Sequence, residues 1–298
     1  MYDVVILSLV EGGSCGRRVP ALHCADALTS LGARPETVTA GSDAEIDEVL
    51  ARFDDPFGGT KYRLIIAPET DGQLRHIVRR LVRRIAPPPS KRPADLPTHR
   101  TIPDLAALGI LPLAPGGLAS RLGLPSEPAE VAEAVVKGDT RALDLLRHDG
   151  GSVTLDGVLL GAATESGAPL PFRGRVEVDD AVLSDGGDPI VAMCVANADG
   201  TTTVDGLPLV TAADPADGVI DVAIAVPITH KPFLGKPRLR FEVRRARGRA
   251  VSVTPHGDEL PFLDDGVAGT LTRKRSWWIE SKAWSVYTLS GRTNHDGL

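Results

Sequence analysis

Tyr62-Arg63-Leu64-Ile65-Ile66-Ala67-Pro68-Glu69-Thr70-Asp71-Gly72-Gln73-Leu74 opens the most regular stretch of the chain. Tyr62 to Ala67 reads as a strand, and a short turn leads from it into a helix over 72–85. Leu74, Ile77, Val78, Leu81, Val82 and Ile85 recur at i, i+3 and i+4, the spacing of one apolar stripe on a half-buried helix. The other face carries Arg75, Arg79, Arg80, Arg83 and Arg84. Those arginines read first as a solvated face. The alternative is attraction to an anionic membrane surface, worth about 1 kcal/mol per charge near it.

The same alternation extends on both sides of this stretch. Tyr2 to Val10 is a continuous apolar run, as in a strand buried on both faces. Gly12-Gly13-Ser14-Cys15-Gly16 comes next as a loop, then a helix from about Pro20 that stops at Gly32. Ser42 with Glu45 forms a capping box, with Ile46, Val49, Leu50 and Phe53 as the apolar stripe behind it. Downstream, the proline-rich stretch 86–103 predicts a loop or extended connection. Ile110 to Leu113 predicts a short strand, and Pro128 to Lys137 a helix ended by Gly138. Strand–helix alternation of this kind implies a parallel, doubly wound sheet.

The second half changes character. From Ser152 onward short strand-like runs lie between Gly, Asp and Pro clusters. Phe172 to Val178 and Val182-Leu183 are separated by Asp179-Asp180. Leu239, Phe241 and Val243 alternate with Arg238, Arg240, Glu242 and Arg244, one buried and one solvated face. Val251 and Val253 continue the pattern after Arg247-Gly248-Arg249. The expected fold is therefore an N-terminal doubly wound α/β domain followed by a C-terminal antiparallel β-sandwich. The boundaries read as 1–115 and 116–270, with a tail from about 270 to 298 returning to the first domain.

With 298 residues the chain has room for two cores. Its net charge of -6 argues against a generic nucleic-acid binder. Cys15, Cys24 and Cys194 have no metal-ligand spacing, and so sparse a set suits a reducing compartment. No basic leader precedes the first strand, and no apolar run reaches the roughly 20 residues of a membrane-spanning helix. A cytoplasmic protein is expected, with any membrane contact peripheral.

Several segments, in order, resemble the diacylglycerol kinase, sphingosine kinase and NAD kinase superfamily. Leu108-Gly109-Ile110-Leu111-Pro112-Leu113, with Arg121-Leu122-Gly123-Leu124-Pro125 after it, is similar to the family segment around its Gly-Thr-x-Asn-Asp loop. The helix after Glu127 and then Gly138-Asp139-Thr140-Arg141-Ala142-Leu143-Asp144 resemble the next segment of that family. Asp214-Pro215-Ala216-Asp217-Gly218-Val219-Ile220-Asp221-Val222 is similar to its metal-site strand, and Asp265-Gly266 stands at its Asp-Gly-Glu. The resemblance runs over roughly residues 2 to 289.

The resemblance implies a nucleotide site at Gly12, Gly13, Glu69, Thr70, Asp71, Gly72, Gly116 and Gly117. It implies a structural Mg²⁺ at Asp217, with backbone carbonyls around Asp214 and Val219, whose hard oxygens suit that ion. Asp265 takes the place of the base that deprotonates the lipid hydroxyl. The nucleotide loops depart from the family pattern. Glu69 and Thr70 replace two glycines, Ala114-Pro115-Gly116-Gly117-Leu118 lacks the threonine, asparagine and aspartate, and Val267 replaces the last glutamate. ATP binding in the family manner is therefore not expected. Plain readings stand beside each of these: Asp71 as a helix N-cap, Asp214 to Asp221 as an Asx-turn, Asp265-Gly266 as a hairpin turn.

The leading expectation is a pseudokinase that binds a lipid or amphiphilic ligand in a cleft between its domains, with phosphotransfer lost or rerouted. The rival is an active ATP-dependent diacylglycerol or lipid kinase, a phosphotransferase to an alcohol group. A third class is a non-catalytic scaffold. The expected partners are that amphiphile, a membrane surface met peripherally, and a second copy in a homodimer.

Overall fold

The computed structural model describes residues 3–10, 19–53, 62–88, 91, 93–94, 96–97, 100–198, 203–204, 206–230, 238–257 and 259–289. The chain divides into two compact units, Met1–Leu143 with Lys282–Leu298, and Asp144–Ser281.

The first unit alternates β1 (Asp3–Leu9), α1 (Val19–Ser30), β2 (Arg34–Ala40), α2 (Asp43–Leu50), β3 (Tyr62–Ala67), α3 (Asp71–Ile85), β4 (Leu108–Ile110), α4 (Gly117–Arg121) and α5 (Pro128–Lys137). β2, β1, β3 and β4 lie side by side and parallel, and Val286 of the last strand, Arg275–Tyr287, pairs with Leu108. Side chains alternate across a strand. Val4 and Ile6 accordingly face a core built with Cys24, Leu28, Val131 and Val135 of α1 and α5. The crossover from β1 to β2 and the return crossover from β2 to β3 run in opposite directions across the sheet, and right-handedness in both puts α1 and α2 on opposite faces.

α3 forms where its periodicity requires. Leu74, Ile77, Val78, Leu81 and Val82 are buried, each contributing about 1.5–3 kcal/mol. The expected strand over 110–113 lies slightly earlier, at 108–110. Its continuation still bonds to β3, Leu111 N–H to the Ile66 carbonyl and Leu113 N–H to the Pro68 carbonyl. The expected boundary at 115 is displaced: α4 and α5 lie in the first unit, because Val131, Ala132 and Val135 complete the β1 core.

The second unit is antiparallel β throughout its long strands. One sheet runs, in spatial order, Arg238–Gly248, Ile220–His230, Ala192–Ala196, Gly157–Leu160, Leu260–Asp264 and Val267–Leu271. A second sheet includes Ala181–Asp185, Arg173–Val178, Ala250–His256 and the start of the last strand. Val158, Leu160, Val195, Val222 and Ile224 of the first share a core with Val176, Val178, Val251, Val253 and Trp277 of the second. The chain changes sheets after Gly248, where an added Cβ would lie 2.6 Å from both Val178 Cγ1 and Asp179 Oδ2. This is the fold class the strand patterns predict.

Candidate functional site

In the first unit the order β2-β1-β3-β4 reverses at the β1/β3 boundary. Open α/β sheets bind ligands beyond the carboxyl ends of strands at such a switch point. The loop after β1, with Gly12 and Gly13, lies outside the described residues. The loop after β3 is Pro68 to Thr70, and the structure brings it beside the 112–117 loop. Pro68, Glu69, Asp71, Pro112, Pro115 and Gly117 line one cavity of about 230 Å³. A second, of about 470 Å³, shares Pro112, Pro115 and Gly116 and extends to Ser120, Leu124 and Glu127.

Thr70, not Asp71, caps α3. Its hydroxyl accepts the Gln73 N–H at 3.2 Å, while Gln73 Oε1 accepts the Glu69 N–H at 2.8 Å. A capping side chain must sit before the first helical residue, and Asp71 is already inside the helix. Gly72 likewise stands in ordinary helical backbone rather than in a phosphate loop.

Asp71 is directed elsewhere. Its Oδ1 accepts the Leu118 N–H at 2.9 Å, and its Oδ2 pairs with Arg121 Nη2 at 2.9 Å. It thereby serves an orphan N–H at the head of α4, 47 residues along the chain. Gly116 and Gly117 make the approach, both left-handed at φ 83° and 72°. A Cβ on Gly117 would lie 2.8 Å from Asp71 Oδ1. Two carboxylates, Glu69 and Asp71, therefore border the smaller cavity, and the nearby guanidinium of Arg121 is engaged by Asp71.

The remaining predicted residues belong to the second unit. Asp265-Gly266 is the two-residue turn of the hairpin Leu260–Asp264/Val267–Leu271, with φ 49° and 78°. Positive φ at both central positions is the type I′ hairpin geometry. The Asp265 side chain is buried and accepts three backbone N–H groups, from Leu155 at 2.8 Å, Asp156 at 2.9 Å and Gly157 at 3.1 Å. It ties this hairpin to the chain entering strand Gly157–Leu160.

Asp214 Oδ1 accepts the Ala216 N–H at 3.0 Å, and Asp217 Oδ1 accepts the Val219 N–H at 3.1 Å. These are two successive Asx-turns. Gly218 N–H donates to buried Asp144 at 2.7 Å, and Asp144 N–H donates to the Pro215 carbonyl at 2.6 Å. Arg247 reaches both Asp217 and, at 3.1 Å, Asp221. Burial pushes the Asp221 carboxyl above its usual range, against the opposing pull of Arg247. Among the described residues no three His, Cys, Asp or Glu side chains converge as a metal site. A divalent ion at 214–219 fits poorly, because the Asp217 carboxylate expected to hold it is already taken by the Val219 N–H and the Arg247 guanidinium, and the Asp214 carbonyl accepts the Asp217 N–H at 3.4 Å.

The sequence reading missed three participants. Arg121 appears in it only as part of a resembling segment, and the Leu118 N–H and Arg247 carry no motif. Cys24 and Cys194 are buried, and burial raises both thiols to about 12, so neither serves as a nucleophile. Part of the α3 arginine face is not solvated either: Arg80 is bound by Asp43 and Asp47 of α2, and Arg79 contacts His76 at 3.2 Å.

No protein-family model matches the chain, and no curated protein does. Solved structures do. A diacylglycerol kinase from Bacillus anthracis is similar with TM-score 0.61 at 14% identity, over 97% of each chain. Two candidate diacylglycerol kinases from the same organism match with TM-scores 0.64 and 0.61 at 13% and 16% identity, each covering 97% of this chain and 98% of its own. The chain has the diacylglycerol kinase-like fold. Among the described residues no helix is long and apolar enough to cross a membrane.

Proposed function

We propose that this chain uses a lipid-kinase fold to bind a lipid or similar amphiphile, without ATP-dependent phosphotransfer. The Asp71 clamp is the observation that carries the reading. Phosphoryl transfer needs donors and cations arranged around spreading negative charge. Here the loop after β3 presents Glu69 and Asp71, and Asp71 holds the Leu118 N–H and Arg121. A triphosphate entering the smaller cavity would meet like charge and would have to displace that clamp.

The amphiphile is supported by the fold, which is shared with diacylglycerol kinases, proteins named for action on a lipid. Anything that binds the native state raises its melting temperature. Melting with Mg-ATP should therefore leave the transition unmoved, while dispersed short-chain diacylglycerol should raise it. Micromolar ATP affinity by calorimetry would overturn the reading in favour of an active lipid kinase with Asp265 as base. That alternative requires Asp265 to act on a hydroxyl while it holds three N–H groups.

A further inference from the structure

The turn of residues 214–221 carries three aspartates within eight residues, Asp214, Asp217 and Asp221. Strand register places Asp221 directly opposite Arg247 on the neighbouring strand. The guanidinium forks between two carboxylates, with Nε on Asp221 Oδ1 at 3.1 Å and Nη2 on Asp217 Oδ2. A planar fork matched to carboxylate oxygens is what arginine supplies and lysine does not. The opposite oxygen of Asp217 is occupied by the Val219 N–H, and Asp214 Oδ1 by the Ala216 N–H. Asp221 Oδ2 is buried and, among the described residues, without a hydrogen-bond partner. Mg²⁺ requires near-octahedral oxygens at about 2.0–2.1 Å, and Ca²⁺ six to eight at about 2.3–2.6 Å. The turn as built offers neither, yet its two facing carboxylates need a positive charge between them.

We propose that Arg247 is the resident cation of this turn, standing where the resembled family carries a divalent ion, and that the carboxylates of Asp217 and Asp221 become a divalent-cation site only when the guanidinium is removed. The Asp144 N–H on the Pro215 carbonyl and the Gly218 N–H on the Asp144 carboxylate hold the loop in shape in either case. With Arg247 gone, Asp217 and Asp221 repel each other and leave an oxygen-rich gap of the chemistry that hard cations favour. The inference does not depend on whether ATP or a lipid binds elsewhere.

The test is thermal melting of the full chain in EDTA, in millimolar MgCl₂ and in millimolar CaCl₂, with NaCl added to equal ionic strength. The wild type should melt at one temperature in all three. Arg247→Gln should fall in EDTA by about 2 to 4 °C and recover with Ca²⁺ or Mg²⁺. The double variant Asp217→Asn with Arg247→Gln has lost the facing charges, so it should show no divalent response and should fold in EDTA even if the single variant does not. Arg247→Lys should remain indifferent to metal. A wild type that loses stability in EDTA would overturn the proposal, since an ion would then be resident beside the arginine. An Arg247→Gln loss that neither cation reverses, or no loss at all, would overturn it equally.

Discussion

Asp71 and Asp265 are each followed by glycine, and each stands where the sequence resemblance expects chemistry, yet the two side chains do different physical jobs. Asp71 is about a quarter exposed (27%), borders a cavity, and holds one backbone N–H and one arginine. Asp265 is 5% exposed and holds three backbone N–H groups in left-handed backbone. An identical Asp-Gly dipeptide thus closes a loop over a cavity in one unit and anchors a hairpin in the other. The difference lies in burial and in the number of donors, neither of which the dipeptide encodes. A partly wet carboxylate with two partners can be given up at small cost. A dry one with three cannot, since each abandoned donor costs about 1–3 kcal/mol.

Asp265→Ala is the largest effect expected. Loss of three buried acceptor contacts should destabilise the second unit by about 3–5 kcal/mol, read from urea unfolding. Asp265→Asn should recover part of this, because asparagine tolerates left-handed backbone and keeps one acceptor oxygen. An Asp265→Ala protein as stable as wild type would end the anchor reading and return Asp265 to the role of a base in waiting.

Asp71→Ala should cost about 1 kcal/mol, allowing for solvent screening of a partly exposed pair. Its more telling signature is local: hydrogen exchange at the Leu118 amide should accelerate while that at Ile77, in the buried stripe of α3, does not. Gly117→Ala tests the same contact from the other side, because a Cβ there would press on Asp71 in left-handed backbone. Unchanged Leu118 exchange in both variants would mean the clamp contributes nothing to loop closure.

These two aspartates also mark how far the sequence can be read. The periodic stripe of α3, the Ser42 cap on the Glu45 N–H and the Gly138 stop appear as expected, while the Glu45 carboxylate closes on the Gly41 N–H rather than on that of Ser42. Each rests on contacts a few residues apart, which local pattern encodes. The two-layer β architecture is legible from alternation at Leu239, Phe241 and Val243. What escapes reading is non-local. The Asp71–Leu118 bond spans 47 residues and Arg247–Asp217 spans 30. Neither pairing has a sequence signal, because it depends on which loops the sheet order brings together. Thr70 is the exception, a local signal overlooked: against the family pattern it reads as a lost glycine, although its spacing to Gln73 is that of a plain helix cap.

A smaller effect is expected at the nucleotide loops. Restoring Glu69→Gly with Thr70→Gly removes one carboxylate from the cavity and the cap from α3, leaving the Asp71–Leu118–Arg121 contacts in place. ATP affinity by calorimetry should stay weaker than micromolar. A tight ATP site in that variant would show that the first loop alone excluded the nucleotide, and that the clamp does not.

The smallest effect concerns acid. Asp43 and Asp47 on α2 are held below the usual carboxylate range, Asp43 first by its hydrogen bond to His76 and Asp47 first by its bond to Arg80. A carboxylate with a lowered folded pKa adds stability above its unfolded value, 3.8 here, and loses it as pH falls through the folded value. Both carboxylates are exposed, so the contribution is modest and screened by salt. Arg80→Ala removes a shared partner of both and lets their folded pKa values rise toward 3.8. The stability of that variant, followed by chemical denaturation from pH 6 downward, should then decline less steeply below about pH 4 than the wild type. The difference between the two curves should shrink in high salt. Parallel curves at low salt would show that the arginine face of α3 is solvated after all, its contacts with α2 carrying no measurable energy.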